Sequence, residues 1–184
     1  MSKLGYEIVR VTALQQNCTI LWCKDSYKAV VVDPGEVAEL PNVLKAHGLQ
    51  LTKVLVTHNH YDHVGGASEL AEMFKVPIIS SFMGDRVEEG DSIEFGSQKL
   101  HVIECPGHTP EHIVFANHAE KLLLTGDTLF CRSIAVTHYA GGNYEVLLHS
   151  IRSKLLPLDD YAFIAGHGAK STIAYEIKCN PYFQ

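Results

Sequence analysis

The first half of the chain switches between two periodicities. Residues 6–11 and 18–22 carry alternating or β-rich patterns, and the run from Ala29 to Asp33 is apolar until Pro34 and Gly35 close it. Runs of this kind bounded by turn residues read as strands, so three strands open the chain. Over residues 36–47 the apolar positions Val37, Leu40, Val43 and Leu44 follow a helical spacing, and Gly48 is placed to stop the helix. Residues 53–56 predict a further buried strand that ends at Thr57. Helical periodicity returns over 68–74 through Leu70, Ala71 and Phe74, and residues 76–79 turn extended.

The second half repeats this logic. Strands are predicted over residues 92–95, 98–104, 112–116 and 121–125, with turns at Gly96 and at Asn117 and His118, which makes a β meander. A helix over 144–156 buries Val146, Leu147, Ile151 and Leu155, residues 163–165 form a strand, and residues 172–178 form a last helix. Two sheets packed face to face, with helices on both outer faces, bury all of these stripes. The predicted fold is therefore α/β, a four-layer αβ/βα sandwich.

Composition narrows the function. A chain of 184 residues is the size of one domain and buries about two-thirds of the surface it exposes when unfolded. No apolar run approaches the ~20 residues that span a bilayer, and the N-terminus lacks the continuous apolar core of a secretory signal. The expected location is the cytoplasm, with no membrane partner. The formal net charge is −6 and no run of Lys or Arg exists, which argues against nucleic acid. Five cysteines at scattered spacings, without a Cys-x-x-Cys pair, read as reduced and mostly buried thiols. Histidine is the exception: 11 are present, several in short clusters beside Asp, Gly and Pro.

The densest cluster is Thr57-His58-Asn59-His60-Tyr61-Asp62-His63, in the predicted strand-to-helix loop. Alternation in an extended loop puts His58 and His60 on one side, and the turn toward the helix brings Asp62 and His63 to an adjacent position. Imidazole suits zinc, iron and related cations, and a carboxylate adds a hard, charge-neutralising ligand. Four such side chains are an unfavourable way to build an ordinary loop or core, so the metal reading dominates. Downstream, His108 in Pro-Gly-His-Thr-Pro, Asp127 in Thr-Gly-Asp-Thr and His167 in Ala-Gly-His-Gly each follow an apolar strand beside glycine. Alone, each histidine would read as a surface or core residue; the cluster transfers its weight to them. His47, His101, His118 and His149 read as ordinary helix-end, strand or turn residues, and His112 and His138 lie between the two cases.

The order Thr-His-x-His-x-Asp-His, Pro-Gly-His-Thr-Pro, Gly-Asp-Thr-Leu-Phe and Gly-His-Gly, followed by Glu176 and Asn180-Pro181-Tyr182-Phe183, resembles the metallo-β-lactamase superfamily, and within it the short glyoxalase II-like branch. The resemblance implies the metallo-β-lactamase form of the sandwich and a pair of divalent metal ions, zinc first, with iron or manganese as alternatives. It assigns His58, His60 and His108 to one ion and Asp62, His63 and His167 to the other, with Asp127 bridging and Asp62 and Asp127 as catalytic carboxylates. Two cations ~3.5–4 Å apart can share a carboxylate and a water whose pKa falls toward ~7, creating a hydroxide nucleophile. Asp33 at a strand end reads either as a partner orienting a ligand histidine or as a turn residue. The implied activity is hydrolysis of an acyl-glutathione or related small-molecule thioester. A mononuclear iron persulfide dioxygenase and a non-catalytic metal-binding sensor or scaffold are the alternatives.

Departures from the pattern bear on substrate. Relatives usually follow Gly-Asp-Thr-Leu-Phe with a Gly-Arg or Gly-Lys stretch that helps to hold the thiol half, and here Val136 stands in place of the cation. Arg132, His138 and Tyr139 are the candidate substrate contacts in its stead. Glu111 replaces a usual glycine and would bring a further carboxylate near the metals. Only 17 residues follow His167, so no C-terminal glutathione-binding helical domain is expected, and the short 80–89 segment predicts an open, shallow groove.

Overall fold

The structure, a computed structural model, describes residues 3–184. Strands β1 (Leu4–Val11), β2 (Gln16–Cys23) and β3 (Lys28–Val32) form an antiparallel meander. Helix α1 (Leu40–Ala46) crosses over to β4 (Gln50–Leu55), which lies parallel to β3. Helices α2 (Tyr61–Val64) and α3 (Ala67–Phe74) lead to β5 (Ile78–Ser80) and β6 (Asp85–Arg86), completing a sheet whose strands follow in sequence order.

The second sheet begins with the antiparallel meander β7 (Ser92–Phe95), β8 (Gln98–Glu104), β9 (Ile113–Asn117) and β10 (Leu122–Gly126). A small hairpin of β11 (Leu129–Phe130) and β12 (Ser133–Ile134) follows. Helix α4 (Tyr144–Ser150) runs into a π-helical turn, Ile151–Leu155, and returns the chain to β13 (Ala162–Ala165), parallel to β10. The edge strand β14 (Ser171–Thr172) and helix α5 (Ile173–Cys179) complete the fold, giving the order β14-β13-β10-β9-β8-β7.

Alternation along the strands builds three apolar layers. Leu21, Val30 and Leu55 point between the sheets to meet Leu100, Ile113 and Phe115. Their sequence neighbours Ile20, Val31 and Val54 point the other way, against Leu40 and Leu44 of α1 and Leu70 of α3. Val114, Leu123 and Phe163 face Leu147, Ile151, Leu155 and Ile173 on the opposite outer face. Strands buried on both faces must be apolar at every position, which is why β3 and β10 read as continuous runs. The four-layer αβ/βα sandwich is the observed architecture.

Several local expectations are corrected. Helix α1 starts at Leu40 rather than residue 36, because Pro41 has no N–H to give a helix interior and is tolerated only in the first turn. Val146 does not join the core: it is 39% exposed on the outer side of α4. The strands β6, β11, β12 and β14 have two residues each and leave no periodicity to read. Among the described residues no disulfide forms; Cys18, Cys23 and Cys105 are buried, while Cys131 is half-buried and Cys179 exposed. Among the described residues no helix is long and apolar enough to cross a membrane.

Candidate metal centre

The chemistry-bearing residues leave the ends of β4, β8, β10 and β13 and meet where the two sheets are stitched together. The Ile113 N–H donates to the Thr57 carbonyl at 3.0 Å, and the Asn17 N–H to the Gly166 carbonyl at 2.7 Å. The Asn17 side-chain amide adds bonds to the Ala165 and Gly168 carbonyls, both at 3.0 Å, so the first hairpin holds the turn that carries His167.

Local backbone explains how the loop after β4 is shaped. Asp33, at the end of β3, sits in the left-handed region with φ of 54°, a conformation that costs a non-glycine residue energy and needs support. Its carboxylate supplies that support, accepting from the Thr57 N–H and the Thr57 hydroxyl at 2.7 Å each. Beneath it a Cβ on Gly35 would lie 1.8 Å from the Asp62 carbonyl oxygen, so only glycine lets the Asp62 backbone come this close. Gly166 plays the same part across the site, where a Cβ would lie 2.2 Å from Asp127 Oδ1.

Hydrogen bonds then fix which nitrogen each histidine presents. Asp33 Oδ2 accepts from His63 Nδ1 at 2.8 Å, leaving His63 Nε2 free. The Thr57 hydroxyl is committed as donor to Asp33, so its oxygen accepts from His58 Nδ1 at 3.0 Å and His58 Nε2 is free. The Val136 carbonyl accepts from His108 Nδ1 at 2.7 Å, freeing His108 Nε2. Such outer partners set tautomer and ring orientation in metal sites.

The free atoms converge. His60 Nδ1 lies 3.2 Å from His58 Nε2 and 2.9 Å from His108 Nε2. On the other side His167 Nε2 lies 3.0 Å and His63 Nε2 3.6 Å from Asp62 Oδ2. Asp127 stands between the groups, with its oxygens 3.3 Å from His63 Nε2, 3.8 Å from His108 Nε2 and 3.7 Å from His167 Nε2. In His58, His60 and His108, and again in Asp62, His63 and His167, the ligand atoms lie within 4.8 Å of one another. Asp33, His58 and His63 also meet that spacing, but Asp33 is already used by Thr57 and His63 Nδ1.

This donor set fits metal ions. His63 Nε2 and Asp127 Oδ1 are buried 3.3 Å apart, and among the described residues neither has a hydrogen-bond partner; the Asp62 carboxylate, 3.6 Å from His63 Nε2, is an ion-pair contact only. Buried polar atoms are rarely left so, and a cation between them would satisfy both. The electrostatics agree. Burial opposes charge on His63 and Asp127 alike, yet Asp127 and Asp33 push His63 up to about 10, and His63, His167 and His108 hold Asp127 down to about 2, so in the metal-free chain a proton on His63 takes the place of the cation. Burial and the neighbouring imidazoles His63, His112, His108 and His60 push His58 well below the usual range, so it is a neutral donor.

His112 is the functional-looking residue that the sequence left undecided. It is buried, its ring stacks on His58 at 4.7 Å, and its Nε2 accepts from the Asp127 N–H at 3.1 Å while Nδ1 bonds the Thr128 hydroxyl at 3.1 Å. Burial outweighs the attraction of Asp127 and pushes its pKa down to about 3, so it stays neutral and able to accept. Its one sequence signal was its place beside the Gly-His-Thr-Pro turn.

The metal-facing cavity, about 350 Å³, is lined by Leu14, Tyr61, Val136 and Tyr139 besides the candidate ligands. Tyr139 therefore reaches the site, and its ring meets His60 edge-on at 5.4 Å. His138 stays outside the lining and packs against Tyr139 at 4.3 Å. Arg132 also lies outside it, exposed at the turn of the β11–β12 hairpin, where its N–H donates to the buried Glu176 at 2.8 Å. Glu111 does not enter the lining either; its carboxylate accepts from the Asn59 N–H at 3.1 Å and braces the loop from behind.

The fold and the converging histidines define a metallo-hydrolase scaffold, and comparison with known proteins gives it a family. The model of the metallo-beta-lactamase superfamily matches residues 11–81 and 78–167, and the chain belongs to that superfamily, in its glyoxalase II-like branch. It is 38% identical to the hydroxyacylglutathione hydrolase GloC of Haemophilus influenzae, over 97% of this chain and 98% of that one. Among solved structures it is similar to the BLEG-1 B3 metallo-beta-lactamase, with a TM-score of 0.90 and 29% identity over 97% and 99% of the two chains. It is also similar to ETHE1 from Myxococcus xanthus, with a TM-score of 0.88 and 25% identity over 96% and 83%.

Proposed function

We propose that this chain is a thioesterase of the hydroxyacylglutathione hydrolase type, cleaving an acyl-glutathione or related small-molecule thioester in the cytoplasm. The observation that carries the reading is the convergence of two ligand groups on Asp127. In this reading His58, His60 and His108 would hold one ion and Asp62, His63 and His167 a second, with the Asp127 carboxylate near both groups to help hold them. Zinc suits this donor set, and iron or manganese are accepted by the same ligands. Bound divalent ions supply an acidic water and polarise the acyl carbonyl.

The chain's own residues prepare that chemistry. Asp33 and Thr57 keep His63 and His58 in the tautomers that expose Nε2, and the Val136 carbonyl does the same for His108. Asp62 and Asp127 offset the charge of the ions and, as the acidic groups of the cavity, act as the catalytic carboxylates. A thiolate departs with little help from a general acid, so the absence of Lys from the lining does not hinder this reaction. Support for the substrate class comes from the 38% identity to a hydroxyacylglutathione hydrolase.

The test is release of thiol from S-lactoylglutathione and from uncharged acyl thioesters by the zinc-loaded chain; silence on all of them removes the thioesterase reading. A second reading, a mononuclear iron dioxygenase acting on persulfides, is favoured by the likeness to ETHE1. One iron per chain with oxygen uptake on glutathione persulfide would establish it in place of the first. The complete second group, Asp62, His63 and His167, favours the hydrolase.

A further inference from the structure

The mouth of the metal cavity has a chemical character of its own. Tyr61 is 77% exposed, Leu14 66%, Tyr139 53% and Val136 49%. Single apolar side chains on a surface are ordinary, but four around one concave opening mark a patch that contacts ligand. Among the described residues no Lys or Arg lines this cavity, and its charged side chains are the carboxylates Asp62 and Asp127 with the histidines. Lys170, three residues beyond His167, is committed elsewhere: it donates to the Tyr6 hydroxyl at 3.0 Å and lies over that ring. The formal net charge of −6 stays negative even when two divalent ions add +4, so an anion gains no long-range attraction from the chain as a whole.

Glutathione carries two carboxylates and one ammonium on its thiol half. Ions held by the candidate ligands would lie at the cavity floor and face the acyl group, so carboxylates seated at the mouth lose water without a Lys or Arg side chain to receive them, and that desolvation is unfavourable. An uncharged, apolar thiol half takes water off the exposed rings and aliphatic groups instead, which is favourable in proportion to the area covered. Two of these side chains are held in place for such contact. The Val136 carbonyl is tied to His108 Nδ1 at 2.7 Å, and the Tyr139 ring is wedged between His60 at 5.4 Å and His138 at 4.3 Å.

We infer that the cavity selects thioesters with an uncharged, apolar thiol half over glutathione thioesters, with Val136 and Tyr139 as the specificity-determining contacts. This rests on the thioesterase reading above. The test uses the full zinc-loaded chain and two substrates that share a lactoyl group, one the thioester of glutathione and the other that of benzyl mercaptan. The free thiols are titrated separately by calorimetry.

The expected result is a kcat/KM at least about tenfold higher for the benzyl thioester, carried by KM, with the two thiols binding in the same order. Val136→Arg compresses or reverses that ratio by about tenfold, and Leu14→Arg, on an exposed turn, compresses it in the same direction. A wild-type preference for the glutathione thioester, or a ratio that neither substitution moves, overturns the inference. If neither thioester is cleaved the thioesterase reading falls, and the titration alone then decides the cavity: benzyl mercaptan binding more tightly sustains the preference, and glutathione binding more tightly overturns it.

Discussion

Two loops meet over the candidate metal site and are built in opposite ways. Residues 57–66 are supported from below at nearly every step: Thr57 and His63 share Asp33, the Asn59 N–H has Glu111, and the Gly66 N–H donates to the Pro34 carbonyl at 2.8 Å. Residues 136–143 are pinned mainly at the Val136 carbonyl and by the Asn143 N–H, which donates to the Gly107 carbonyl at 2.7 Å, and most of their side chains are exposed. The first loop fixes where reacting atoms sit. The second presents a surface whose side chains can change with little loss of stability, so reaction and recognition are separable on this scaffold.

The separation is broken hardest at Asp127, where both ligand groups meet. Asp127→Ala should lower thioester turnover by roughly 10³-fold or more and reduce metal content below two ions per chain, read by elemental analysis beside the assay. Full turnover with both ions bound would remove Asp127 from the site. Gly35→Ala attacks the support rather than the ligands. With its Cβ 1.8 Å from a backbone oxygen, it should cost about 3 kcal/mol, seen as a lower denaturation midpoint; an unchanged midpoint would mean that the turn yields easily.

Asp33→Asn keeps the shape and weakens the hold on His63, so metal affinity should fall about 10–100-fold in a chelator competition. The same pair gives the metal-free chain a pH signature. Folded His63, raised to about 10, keeps a proton that the unfolded chain releases near pH 6.5, so the stabilisation is complete below that pH. It is lost as pH climbs through about 10, and a flat stability profile across this window would contradict the pairing. The smallest effect on stability belongs to the second loop: Tyr139→Ala should stay within about 0.5 kcal/mol while changing KM. A larger loss of stability would make that loop structural.

Legibility in the sequence follows the same divide. Strands buried on both faces had to be apolar at successive positions, so β3, β9 and β10 were readable as runs, while β8 showed as an alternation of buried and more exposed positions. The candidate donors that the structure gathers stood out in the sequence because four of them crowd into seven residues. What could not be read draws its stability from distant partners. The β11–β12 hairpin is held by Glu176, which accepts from the Arg132 N–H and the Asn180 amide, both at 2.8 Å, and from the Ser171 hydroxyl. Helix α2 is one turn inside the ligand loop, too short for periodicity. His112 acts through a backbone N–H and a ring stack, contacts that leave no spacing in the sequence.

Asn17 adds a consequence for how the molecule comes together. Its amide reaches carbonyls 148 and 151 residues later in the chain, so the His167 turn is seated only when the earliest hairpin has met the last strands. Contacts between such remote partners are slow to form, because the intervening chain must be closed first. On the two-ion reading, competence to hold the ion at Asp62, His63 and His167 should therefore arrive late in folding. Ions that bind only the closed form then act as a latch, stabilising it by about 2.7 kcal/mol when present at a hundredfold above their dissociation constant.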